Sequence, residues 1–251
     1  MAIIENGYLR GQIGNVVNRK LGNKNVVQTK PSGKTRQTRA TEAAASDFGT
    51  ASSAGSMMRR AFTTVHQEMH DPEMHNRLVK TMLRVLRGNG KARQGMLHIE
   101  RGNIKRLVDF QFNAKCHIYD YVYFEPIVSF DPTGKTTIVL PPLDAKHNFS
   151  APKTCKYIVL KIDVVVLDFF FARSKQSRTH EIEFQLYGEN QQVTEEQIIE
   201  FDCNPSCGDS ILVAMSVIYL STKNKYAVLL NSENLHPAGI IAAHTISQAN
   251  K

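Results

Sequence analysis

Three groups of side chains have the types and spacing that chemistry needs. His66-Gln67-Glu68-Met69-His70 sets two histidines four positions apart, with His75 five further on. On a helix that spacing puts both imidazoles on one face, which is metal-pair geometry. Glu68 stands next to neither histidine, however, so neither common zinc-protease order is present, and its carboxylate points away from the shared face. Asp71-Pro72 separates His75 from the pair. The reading adopted is a polar helix end; His66, His70 and His75 are the positions to inspect for a metal, and none is assigned. Cys203-Asn204-Pro205-Ser206-Cys207 is the second group. A zinc ribbon needs a second matching pair, and Cys116 and Cys155 are scattered. A turn between strands with ordinary thiols is expected, with a reversible disulfide open to the pair. The third group is the two Gly-Lys-Thr runs at Gly33 and Gly134. A phosphate loop needs glycine five positions earlier, where Gln28 and Ser129 stand.

Other catalytic patterns fail as well. Gly88-Asn89-Gly90 is followed by Arg93 where a dinucleotide fingerprint needs glycine. No Gly-x-Ser-x-Gly elbow occurs. Glu181, Glu183, Glu195 and Glu196 fall on expected solvent faces. No catalytic residue and no cofactor are expected, and the chain is read as a non-enzyme.

Charge is unevenly spread. Residues 1–110 carry 19 Lys and Arg against 8 Asp and Glu, net +11; residues 111–251 carry 12 against 15, net −3. A basic half attracts polyanions, or an acidic patch on a neighbouring copy. Arg59, Arg60, Arg84 and Arg87 are the cations best suited to phosphate contacts, with Arg36, Arg39, Lys91 and Arg93 beside them. That half holds few aromatics, and Phe48 and Phe62 lie on an apolar stripe, so stacking platforms for single strands are missing. Phosphate-backbone binding by the basic half is the alternative function.

The elements that must position these residues come in three segments. Residues 1–40 form an N-terminal arm, a β-hairpin and a basic linker. Residues 41–106 are helical. One helix starts near Thr41, with Phe48, Ala51, Ala54, Met58, Phe62 and Val65 at helical steps. Its small residues, GTASSAGS, allow close approach of a neighbouring element. A second opens at Asp71-Pro72, with Leu78, Met82, Leu83, Val85 and Leu86 as its stripe, and stops at Gly88-Asn89-Gly90. Residues 91–106 fit a short helix or a loop. Residues 107–251 change to a period of two. Strands are expected at Val108–Phe112, Phe124–Phe130, Thr136–Leu140, Ile158–Val166, His180–Tyr187, Gln197–Phe201, Ser210–Leu220, Tyr226–Leu230 and Gly239–Ala243, separated by turns such as Asp131-Pro132-Thr133-Gly134. The expected class is α+β, with the last segment an antiparallel immunoglobulin-like sandwich. Phe169-Phe170-Phe171 cannot all face one core. The longest apolar tract, Tyr157–Phe171, is interrupted by charges and too short to span a bilayer, and the start does not read as a signal peptide. A cytoplasmic location is expected, with no membrane partner.

The hairpin is the least ordinary segment. Paired through Gly22-Asn23, Val16 faces Thr29, Val17 faces Gln28, Asn18 faces Val27 and Arg19 faces Val26. Each face then holds one valine from each strand, and neither is a core face. Such a hairpin is marginal alone and needs a second surface, from its own chain or from another copy. Ile13, Val16, Val17, Leu21, Val26 and Val27 are the expected assembly residues. Residues 1–14 are read as an extended arm.

Asn6-Gly7-Tyr8-Leu9-Arg10-Gly11-Gln12-Ile13-Gly14-Asn15-Val16-Val17, with Val26-Val27, Lys30-Pro31 and Thr41-Glu42, resembles the start of a bacterial family of unknown function whose members read like "GILGGFSGKVGNVVG…WKG…P" there. Leu107 and Phe110-Gln111-Phe112-Asn113 are also similar. Leu21 stands where that family has tryptophan. The resemblance implies a two-part layout and no known catalytic activity, and it gives no site residues to carry over. The function expected is a non-enzymatic structural protein whose arm and hairpin join copies in a particle, ring, filament or phage-like component.

Overall fold

In the computed structural model, the structure describes residues 2–30, 37–90, 92–187, 193–223 and 226–246. Gly33-Lys34-Thr35, Arg36 and Lys91 lie outside them. The chain divides into two compact units, Met1–Glu42 and Ala43–Lys251.

The first unit is one antiparallel sheet in the order β1 (Ala2–Glu5), β2 (Tyr8–Ile13), β3 (Val16–Leu21), β4 (Lys24–Thr29). The β3–β4 register is the expected one: Val16 opposite Thr29, Val17 opposite Gln28, Asn18 opposite Val27, Arg19 opposite Val26. Gly22 makes the turn possible with φ of 58°, a region that glycine enters without a Cβ penalty. Residues 2–13 are not an extended arm. They form a second hairpin, turned at Asn6-Gly7, and β2 pairs with β3 through Gly11–Asn18, Gln12–Val17 and Ile13–Val16.

The second unit is mixed α and β with antiparallel sheets. Its first helices are α1 (Arg39–Ala61), whose first turn belongs to the first unit, α2 (Thr63–His66) and α3 (Met74–Leu86). The small residues of α1 do bring a helix close: a Cβ placed on Gly55 would lie 3.5 Å from Val79 Cγ2 of α3. The stripe Ala51, Ala54, Met58, Phe62 and Val65 is buried, whereas Phe48 is exposed. Helix α3 starts at Met74, later than expected, because Asp71 caps the turn before it by accepting from Glu73 N–H at 3.0 Å. Residues 91–106 contain two short 3-10 turns, Ile99–Arg101 and Ile104–Leu107.

The strand expected at Val108–Phe112 is absent. Asp109 has φ of 66°, and only an isolated bridge joins Gln111 to Gly239. Phe110 and Phe112 are buried, but so are Gln111 and Asn113, so the alternation did not mark one solvent face. After it come β5 (Ile127–Phe130), β6 (Thr136–Leu140), β7 (Leu143–Asp144), α4 (Ala145–Asn148), β8 (Tyr157–Asp168), β9 (Arg173–Gln185), β10 (Val193–Thr194), β11 (Gln197–Phe201), β12 (Ser210–Lys223), β13 (Tyr226–Leu229) and β14 (Ala238–Thr245).

The main sheet is built on β8 and β12, which pair from Tyr157–Leu220 to Leu167–Ser210. Strand β9 flanks β8; β13 and β14 share the other edge of β12. Between those two, Asn231 substitutes for a strand: its amide accepts from Tyr219 N–H at 2.7 Å and donates to the Val217 carbonyl at 2.8 Å. The sheet curls like a half-barrel, so the immunoglobulin-like packing expected from the strand count is not established.

Both faces of this sheet are covered. Ile158, Leu160, Ile162, Val164 and Val166 pack with Ile211, Val213, Met215 and Val217 against Ile138, Leu140, Ile199 and Phe201 of the sheet β5–β6–β11. On the opposite face, Val165, Leu167, Leu212 and Ala214 join Met58, Phe62, Leu78, Met82 and Phe112 under the helices. A strand covered on both sides reads as a continuous apolar run, which is why Val164-Val165-Val166-Leu167 lacks alternation. The helical and strand-rich segments thus share one core.

Candidate functional site

The expected assembly residues all lie on the N-terminal sheet. Ile13, Val16 and Val27 share one face by register; Val17, Leu21 and Val26 share the other. Strand β3 is paired on both sides within the chain, so part of the second surface that the hairpin needs comes from β2. Strands β1 and β4 end the sheet. Exposed are Ile13 (55%), Leu21 (63%), Val27 (66%) and, on β1, Ile4 (76%), while Val16, Val17 and Val26 are half-buried. An open edge with exposed apolar side chains is a template for pairing with another chain.

The histidines do not form a helical pair. Helix α2 ends at His66, and Gln67 and Glu68 adopt φ of 45° and 59°. Both ring nitrogens of buried His66 are used: Nε2 lies 2.9 Å from the Arg59 carbonyl and Nδ1 accepts from Glu68 N–H at 3.1 Å. Burial, with the neighbouring His70 and Arg59, holds its pKa below the ordinary value despite that carbonyl contact. His70 Nδ1 sits 3.2 Å from the Asp71 carbonyl. His75 Nδ1 is buried without a hydrogen-bond partner. Among the described residues no three His, Cys, Asp or Glu side chains are placed to hold a metal.

The thiols behave as expected. All four cysteines are free; Cys203 is buried and Cys207 exposed. Burial pushes the Cys203 thiol up. Phe169 packs on the helical core, while Phe170 and Phe171 stay exposed at the β8–β9 turn, their ring centroids 4.9 Å apart.

The four expected polyanion contacts separate. Arg59 and Arg60 line a shallow recess with Thr63, His66, Glu68 and His70. Arg87 borders a cavity of about 410 Å³ between α1 and the chain after α3, beside Phe48. Arg84 lines a groove of about 440 Å³ with Lys80, Arg106, Asp109 and Phe110. Sequence reading passed over Lys80 and Arg106; the signal was the absence of any carboxylate in Met74–Leu86.

Two buried carboxylates sit nearby in opposite electrostatic settings. Asp71 is desolvated, which alone would raise its pKa, but Ala114 N–H at 2.9 Å, the Arg77 guanidinium and Glu73 N–H outweigh that and hold it low. Arg77 is fixed in turn by the Gln111 carbonyl at 2.8 Å and lies over the Phe110 ring. Asp163 on β8 is fully buried. Burial drives its pKa up although Thr64 and Thr179 hydroxyls donate to Oδ1 at 3.2 and 2.5 Å; Oδ2 has no partner. Near it, His236 bridges the Val65 carbonyl (2.7 Å) and Asn231 (2.9 Å), and burial keeps it neutral by lowering its pKa. Asp163 and His236 tie α2 to the sheet through Thr64 and the Val65 carbonyl. No protein-family model, curated protein or solved structure matches the chain. Among the described residues no helix is long and apolar enough to cross a membrane.

Proposed function

We propose that this protein is a non-enzymatic structural subunit that joins copies of itself through its N-terminal sheet, in a particle, ring, filament or phage-like component. One observation carries the reading: a four-stranded sheet whose outer strands β1 and β4 pair with no further strand among the described residues, with Ile4, Ile13, Leu21 and Val27 exposed. Such a surface is unfavourable in water and is stabilised by strand addition or by packing against another chain. A second copy is the partner that charge favours. Residues 2–30 carry five Lys and Arg against one Glu, whereas residues 111–251 are net −3. The immunoglobulin-like reading of the strand-rich half, the family resemblance of the first residues and a cytoplasmic location belong to the same proposal. Four free thiols agree with the last.

Sedimentation velocity and negative-stain microscopy of the intact chain and of a chain lacking residues 1–30 test it. Discrete oligomers that dissociate on deletion are expected. A monomer at all concentrations, unaltered by the deletion, would sink the reading.

A further inference from the structure

The groove beside α3 holds cations that the fold does not use. Arg77, Lys80 and Arg84 lie three and four residues apart on one face of α3, and Arg106 reaches the same groove from the 3-10 turn Ile104–Leu107. Like charges at such spacing destabilise a helix, and α3 has no acidic residue to offset them. Arg77 is committed to Asp71 and to the Gln111 carbonyl. Lys80, Arg84 and Arg106 are exposed, and among the described residues none of them has an ion-pair or hydrogen-bond partner. One carboxylate, Asp109, faces these three cations across the groove.

We propose that this groove binds the phosphodiester backbone of nucleic acid, with Lys80, Arg84 and Arg106 as the phosphate contacts. The lining selects a ligand that only accepts hydrogen bonds. Gln111 already spends its amide on Ile118 N–H (2.9 Å) and the Asp109 carbonyl (3.2 Å), and Thr81 donates to the Arg77 carbonyl at 3.0 Å. An acidic peptide brings backbone N–H groups for which the free side-chain acceptors of the lining are Asp109 and the His117 ring, whereas a phosphodiester brings acceptors that match the three cations. A bilayer surface is disfavoured because no lining residue is among the exposed large hydrophobics that would insert between headgroups. Of the two rings that line the groove, Phe110 is buried beneath Arg77 and the His117 imidazole is exposed, so bases have no large aromatic platform and binding follows the backbone rather than the sequence. The site is independent of the sheet-mediated assembly.

Fluorescence anisotropy with a labelled dT oligonucleotide and a mixed-sequence duplex, from about 50 to about 200 mM salt, tests the proposal. The intact protein should bind at least one of the two. Lys80→Gln/Arg84→Gln/Arg106→Gln should weaken binding at least ~10-fold and flatten the slope of log affinity against log salt by about 2. The matched control Lys146→Gln/Lys153→Gln/Lys156→Gln removes three exposed charges elsewhere and should stay within ~2-fold by the same count. Arg84→Glu alone should also weaken binding, with an unchanged thermal midpoint. The proposal falls if neither oligonucleotide binds at low salt, if the two triple variants lose affinity equally, or if polyglutamate or anionic vesicles are retained and the oligonucleotides are not.

Discussion

Residues 2–30 and residues 43–246 are both rich in antiparallel strands, yet they place their apolar side chains oppositely. In the larger unit, β8 and β12 are covered on one face by helices and on the other by the sheet β5–β6–β11, and nearly every aliphatic side chain on them is buried. In the smaller unit, among the described residues, no second sheet or helix of its own covers the four strands, and Ile4, Ile13, Leu21 and Val27 remain exposed. Register is firm where a face is buried and weak where it is not. The small sheet is held by its backbone ladder and a few surface contacts such as Arg10–Glu5 and Lys20 over Tyr8, while side-chain burial gives the large one its stability. The difference separates a folded body from a segment suited to meeting other molecules.

Substitutions in the two units sharpen this contrast. Phe112→Ala should have the largest effect. Its ring packs at 5.5 Å from Phe62 and 5.6 Å from Phe110, and a loss of about 3–5 kcal/mol is expected in denaturant unfolding. A loss under ~1 kcal/mol would mean that the body is less tightly packed than its burial implies.

The two buried carboxylates should come next, with opposite pH dependence. The lowered Asp71 pKa gives stability that is present above the unfolded carboxylate value and is lost as pH falls through the folded one. Asp71→Asn should cost about 2 kcal/mol near neutrality, because it leaves Arg77 unpaired, and much less in acid. Asp163 has the reverse sign. Its raised pKa favours the protonated acid in the fold, so the native protein loses stability as pH rises from the unfolded value through the folded one. The stability of Asp163→Asn relative to the parent should therefore rise from about pH 4 to about pH 7. Unfolding curves across that range would refute the assignment if both variants moved in the same direction.

The smallest change in stability belongs to the N-terminal sheet. Leu21→Ala/Val27→Ala should leave unfolding of the body within about 0.5 kcal/mol while weakening self-association in sedimentation velocity. Were the body to lose as much as it does with Phe112→Ala, the sheet would be part of its core and the contrast would fail.

How far residues alone reach differs along the chain. The β3–β4 register followed from Gly22-Asn23 and from the pattern of side chains, because a two-residue turn pins its partners. Thr136–Leu140 and Gln197–Phe201 were legible from alternation and turn residues, and α1 and α3 from apolar steps, since these are local rules. Val108–Phe112 misled, because alternation there came from residues buried on every side by separate elements. The polar helix end read at His66 agrees with where α2 stops, although spacing alone could not show that His70 lies beyond the helix.

The groove could be read only in part from local sequence, through Arg84. Lys80 and Arg84 share α3 but Arg106 belongs to another segment, and only the packing of α3 against the chain at Ile104–Phe110 brings the three together. By itself the sequence determined the helices α1 and α3, several of the strands, the hairpin register and the excess of cations in the first half, all consequences of short-range stereochemistry and composition. Tertiary structure alone decided which faces were covered, that Asp163 would be buried without a partner for Oδ2 while Asp71 found several, and which cations would converge. Burial and electrostatics depend on neighbours distant in the chain, and their strength is set by what excludes water.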